Sequence, residues 1–244
     1  MRARTALVLG LTASLALGGV TEASAKSKAK PKPKPVCNIV KGDLGDAPFD
    51  VTLGLAASKM PNDPNGDILS ADIASDAKYV TAVIRVKTLA VPDTTYPGAH
   101  YYLLLWSVPD HTAPVYLAAT VDPNPAAGTV YGPQFVFGDE GGVGGAVQYF
   151  NISSKAKVVG KVDTAKNTIT MSVPVSQLTG YGTFKPGTHF SGISAQSQAT
   201  TNGPVLPTNV PDAGGSIGWG FTEDSDDAAK DYVAGSPSCV KPGA

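Results

Sequence analysis

The chain is poor in the residues that do chemistry. Its 244 residues include only three histidines, two cysteines and two tryptophans, and 16% are charged. No G-x-S-x-G elbow and no H-E-x-x-H pair occurs, which removes the usual signatures of a serine hydrolase and a zinc protease. A Cys-His dyad is missing as well once the two cysteines are spent on each other. Cations are scarce beyond residue 35: residues 36–244 hold 19 acids against 12 bases, a net of −7. With no basic face to neutralise phosphates, nucleic acid is excluded as a partner. No apolar run beyond residue 20 approaches the roughly 20 residues of a membrane span. The glycine run at 139–145 lacks the Lys-Ser/Thr helix start of a phosphate loop and reads as a flexible connection.

What is present points outward. Arg2 and Arg4, the apolar stretch 6–20 and Ala23-Ser24-Ala25 follow the three-part pattern of an export signal. Residues 1–25 are therefore expected to be removed, leaving 219 residues, enough for one sizeable core. The arginines are not adjacent and no cysteine marks the cleavage point, so neither a twin-arginine route nor lipid anchoring is supported. Residues 26–36 form a Lys/Pro-rich, disordered linker, expected to be extended and polyproline-like. It is either a spacer or a segment attracted weakly to anionic wall polymers or lipid surfaces. The protein is expected to be secreted, soluble and monomeric.

Two cysteines in an exported chain pair with each other, because no third thiol competes. Cys37 and Cys239 bracket almost the whole remaining chain. Their bond marks a single domain over 37–240, with 241–244 as a tail.

Between the cysteines, alternation dominates and helix-length periodicity is rare. Val80, Ala82, Ile84 and Val86 fall on one face of a strand, with Thr81, Arg85 and Lys87 on the other. Further strands are expected at 50–56, 68–74, 100–108, 114–121, 129–137, 146–152, 157–162, 168–173 and 188–196. Proline, glycine and aspartate turns separate them. Residues 225–232 read as a helical turn, with the acids of 223–227 at its start. The clearest hairpin descends through Val158, Gly160 and Val162, turns at Asp163–Asn167 and returns through Ile169, Met171 and Val173. Pro174 ends its ladder, having no N–H to donate. Many short strands spaced this way predict an all-β fold, an antiparallel β-sandwich of jelly-roll or immunoglobulin-like type, its termini joined by the disulfide.

The pattern G-x-V-D-x-x-x-N-T-I-T-x-x-V-P at 160–174 resembles a segment of secreted bacterial sandwich domains. These are the DOMON-like and family-nine carbohydrate-binding-module-like domains. Asp63-Pro64-Asn65-Gly66-Asp67, then Ser70-Ala71-Asp72-Ile73, then the long strand from Lys78, occur in the order those domains show. Pro186-Gly187 and Gly192-Ile193-Ser194-Ala195 resemble their last core strand. The resemblance covers about 63–196. It implies a sandwich, a non-catalytic role, and sugar, haem or calcium as ligand classes. Met60, Met171, His100, His111 and His189 match no haem-ligand motif, so haem is not carried over.

Two candidate sites arise. Asp63, Asn65 and Asp67 offer hard oxygens at alternate positions, with Asp72 close behind, as calcium prefers. The competing reading is a polar turn with side-chain capping. Tyr102, Trp106 and Trp219 are candidate ligand platforms, since flat rings suit sugar faces. The competing reading places them in the core, because residues 100–106 are apolar on both faces. Asp110-His111 sits in a proline-bounded turn, and Asn151-Ile152-Ser153 matches a glycosylation sequon that a bacterial-type signal leaves unused. No catalytic residue is selected. The expected function is a secreted non-catalytic binding module for carbohydrate or cell-envelope polymer, with calcium the one cofactor in view. A carboxylate-based extracellular hydrolase and a protein-interaction or inhibitor domain are the alternatives.

Overall fold

A computed structural model of the chain describes residues 33–42, 64–90, 99–121, 133–144, 147–200, 215–218 and 221–244. The strand expected at 50–56, Asp63 and Trp219 lie outside them. The strands in chain order are β1 Val40–Lys41, β2 Ile68–Ser75, β3 Tyr79–Val86, β4 Ala99–Ser107, β5 Val115–Val121 and β6 Gln134–Gly144. They continue with β7 Val147–Ile152, β8 Val159–Asp163, β9 Thr168–Pro174, β10 His189–Thr200, β11 Gly215–Gly218, β12 Phe221–Asp227 and β13 Tyr232–Val233. Helical structure among the described residues is confined to a 3-10 turn at Val175–Gln177, directly after Pro174.

The strands make two antiparallel sheets, so the expected all-β sandwich is the observed fold. One sheet has the order β1-β2-β3-β9-β8; the larger has β11-β7-β6-β5-β4-β10-β12, with β13 paired to the start of β10. The main core lies between them. Val80, Ala82, Ile84 and Val86 of β3 and Ile169, Met171 and Val173 of β9 meet Tyr102, Leu104, Trp106, Leu117 and Phe137 from the larger sheet. The β8–β9 hairpin turns as the sequence predicts. Asn167 adopts φ 52°, and an Asp163 carboxylate oxygen accepts from the Lys166 backbone N–H at 3.2 Å. Lys161 bonds the other Asp163 oxygen, and that hydrogen bond is the main cause holding the carboxyl below its ordinary range.

Strands β1, β11 and β13 have no counterpart in the sequence reading, and two further elements differ from it. Strand β6 runs on through the glycine run instead of stopping at Phe137. A Cβ at Gly138 would collide with the Asn151 carbonyl and stand 2.9 Å from the Tyr116 hydroxyl. Glycine is there for close strand approach, not for a flexible connection. A register shift between Glu140 and Gly142 marks a bulge further along. The acidic run at 223–227 is strand β12, not a helix start. Asp224 and Asp226 are buried, opposite Ser197 and Ala195 of β10. Tertiary demand for acceptors at that corner overrides the acids' preference for a helix N-terminus.

The chain ends are fastened together. Cys37 and Cys239, 202 residues apart, are bonded, with their Cα atoms 5.1 Å apart, inside the usual range for a disulfide. Val36 donates to Pro237 O at 2.8 Å and accepts from Cys239 N at 3.1 Å. Val40 pairs with Ala71 of β2 and also bridges Ala228, just beyond β12, so this edge joins the two sheets. Gly243 N donates to Thr81 Oγ1 at 2.8 Å and Ser172 Oγ donates to Ala244 O at 3.1 Å, laying the last residues across the outer face of β3 and β9.

Candidate functional site

The loop at 64–67 is held by several protein donors, although Asp67 Oδ1 and the nearby Asp72 Oδ1 are buried without a hydrogen-bond partner. Thr88 N bonds Pro64 O at 3.0 Å and Lys87 N bonds Asp67 O at 2.9 Å. Tyr102 Oη donates to Asn65 O at 2.8 Å, and Ser197 Oγ to Gly66 O at 2.6 Å. Ala90 N takes the Asn65 side-chain oxygen at 2.7 Å. The acids have cations of their own: Asp67 Oδ2 lies 2.7 Å from Lys87 Nζ, and Asp72 Oδ2 lies 2.8 Å from Arg85. These oxygens close the end of the sandwich. Among the described residues no group of three or more His, Cys, Asp or Glu is arranged to hold a metal ion.

Tyr102 and Trp106 are at 0% exposure in the core between the sheets. Strand β4 is covered on both faces. Tyr102, Leu104 and Trp106 point into the main core, and Tyr101, Leu103 and Leu105 join a second buried cluster on the opposite face. Neither candidate ring on this strand offers a face to solvent.

A different set of residues meets at one end of the larger sheet. The β4–β5 hairpin turns through Pro109 and Asp110, with Asp110 at φ 67°, a left-handed conformation that its short polar side chain tolerates. Thr183 Oγ1 donates to Asp110 Oδ2 at 3.2 Å, fastening the turn to the 181–184 segment. The turn carries His111, whose Nε2 is 2.9 Å from Asp139 Oδ2 on β6. The other carboxylate oxygen accepts from Asn151 Nδ2 of β7 at 3.0 Å. Asp139 and Asn151 are directly paired across β6 and β7, so strand register sets their spacing.

A carboxylate can only accept, so the Nε2 that faces Asp139 carries a proton, and that bond orients the imidazole. Tyr181 packs edge-on to His111 with ring centroids 5.7 Å apart, and edge-on to Phe137 at 5.0 Å. His111 and Asp139 keep 17% and 18% of their side-chain surface exposed. Nearby, Tyr116 Oη donates to Asn151 O at 3.0 Å. Burial first, and then the Asp139 charge, push the Tyr116 phenol well above its ordinary pKa.

This arrangement is a fixed carboxylate, an oriented imidazole and an aromatic edge, partly open to water. It is suited to gripping neighbouring hydroxyls. Sequence reasoning singled out His111 but not its partners: Asp139 was hidden in the glycine run, and Asn151 drew notice only as a sequon. The Asn151 amide that a glycan would occupy is bonded to Asp139. No family model matches the chain, and no curated protein matches it.

Proposed function

We propose that this chain is an exported, non-catalytic binding module for a carbohydrate or cell-envelope polymer, and that the His111–Asp139–Asn151 cluster with Tyr181 is its contact site. The observation that carries the reading is the cluster's partial exposure combined with its fixed geometry. Its polar groups are held by one another before any ligand arrives, which lowers the ordering cost of binding. A tyrosine edge beside an oriented acceptor suits the mixed apolar and hydroxylated surface of a sugar. The export pattern at the N-terminus, the disulfide and the resemblance to secreted carbohydrate-binding-like sandwiches support the same reading.

The experiment is retention of the secreted protein on a panel of insoluble glycans and cell-wall preparations. Retention by at least one of them, weakened about tenfold or more in Tyr181→Ala and Asp139→Asn, is the expected result. If no preparation holds the protein, the carbohydrate reading fails. Turnover on a glycan or ester panel that Asp139→Asn abolishes replaces it with the hydrolase.

A further inference from the structure

The His111 cluster carries negative charge to which the fold supplies no lysine or arginine. Asp139 bonds His111 Nε2 at 2.9 Å and Asn151 Nδ2 at 3.0 Å. Asp110, the residue before His111, takes Thr183 Oγ1 on its Oδ2 at 3.2 Å. Asp110 is exposed, and its Oδ1 has no partner among the described residues. Neither carboxylate meets a lysine or an arginine among those residues. Other aspartates of the fold do: Asp67 has Lys87, Asp72 has Arg85 and Asp163 has Lys161.

Two carboxylates stand beside one imidazole, so charging His111 cancels only one of them. The site is negative whichever form the imidazole takes. The Asp139 charge is felt as far as Tyr116, where it adds to burial in raising the phenol. A uronate or phosphate polymer is repelled here. A neutral sugar gains an ordinary hydrogen bond, whereas an ammonium gains a charge-assisted one, roughly twice as strong.

The acceptor is also well placed. The left-handed turn at Asp110 and its bond to Thr183 hold the carboxylate beside the imidazole. Tyr181, two residues before Thr183, packs edge-on to the same imidazole at 5.7 Å. We propose that the site selects an amino-sugar polymer, one with free ammonium groups on its rings, and that Asp110 sets this preference. The inference rests on the His111 cluster being a glycan contact. The ammonium donates to Asp110 Oδ1, and the C–H face of the same ring packs on Tyr181.

The test is retention of the secreted protein on chitosan, chitin and cellulose in slightly acidic buffer of fixed ionic strength. These polymers share a backbone and carry an ammonium, an acetamide and a hydroxyl at the same ring carbon. Chitosan is expected to hold the protein about tenfold more tightly than either of the others, the value of one charge-assisted hydrogen bond. Asp110→Asn keeps the left-handed turn and the Thr183 bond, and is expected to erase that preference. Asp163→Asn removes the same charge from the β8–β9 turn of the other sheet and is expected to leave it intact. Equal loss in the two variants would reduce the effect to net charge and overturn the proposal. Equal retention on all three polymers also overturns it, while the glycan reading stands. Retention on none of these or of the wider glycan panel removes both.

Discussion

Asp224 on β12 accepts a hydrogen bond from the backbone N–H of Ile68 at 2.7 Å, tying the first residue of β2 to a strand 156 residues later. Asp224 is 1% exposed, and the contact joins an edge strand of the larger sheet to the smaller one. Asp224→Ala leaves that N–H buried without an acceptor. It is expected to cost about 2–3 kcal/mol, read as a lower urea midpoint with an unchanged slope. Asp224→Asn retains an acceptor oxygen and should recover a large part of the loss.

The disulfide has a direct readout. Reduction should raise the intact mass by about two hydrogens, and Cys37→Ser/Cys239→Ser should lose roughly 5 kcal/mol of stability in the chain-entropy account of a 202-residue loop. A double variant that melts with the parent would show that the hydrogen bonds of Val36 to Pro237 and Cys239 already hold the ends together.

Gly138→Ala is expected to be among the most damaging single changes in the larger sheet. Its new methyl meets the backbone carbonyl of Asn151, which cannot rotate away. A loss of about 3 kcal/mol is expected, measured by thermal unfolding. Because Asn151 also steadies Asp139, glycan retention should fall with it.

Alkaline pH should weaken the fold through two tyrosines. Tyr116 and Tyr232 both have pKa values raised chiefly by burial. Below pH ~10 each is protonated in both states and contributes no pH dependence. Above it the unfolded phenols ionise first, so the unfolded chain binds fewer protons and stability falls, by up to about 1.4 kcal/mol per pH unit for each tyrosine. Urea unfolding at several pH values should show this slope, and Tyr116→Phe should reduce it.

Strands with one buried face declared themselves. The alternation of β3 and the turn residues of the β8–β9 hairpin were sufficient to place both. The β4 segment was readable as a strand but not as to what covered each face, because an apolar run has no polar side to mark. Strand β6 was cut short because glycine signals a turn when the approaching Asn151 carbonyl is unseen. The acids of β12 imitated a helix start because their partner, the Ile68 N–H, lies 156 residues away. The candidate site fails to announce itself for the same reason. His111 meets Asp139 across 28 residues, and Asp139 meets Asn151 across 12, through strand register alone.

The fastening of the ends also determines how the molecule bears force. A pull applied to the Lys-Pro segment and to the last residues first loosens the hydrogen bonds of Val36, Gly243 and Ala244 and then meets the Cys37–Cys239 bond, which carries it. The intervening 202-residue loop sits outside the load path, so the sheets are spared the shear that unzips ladders strand by strand. Stretched between two attachment points, the protein behaves as a short inextensible link until that bond is reduced.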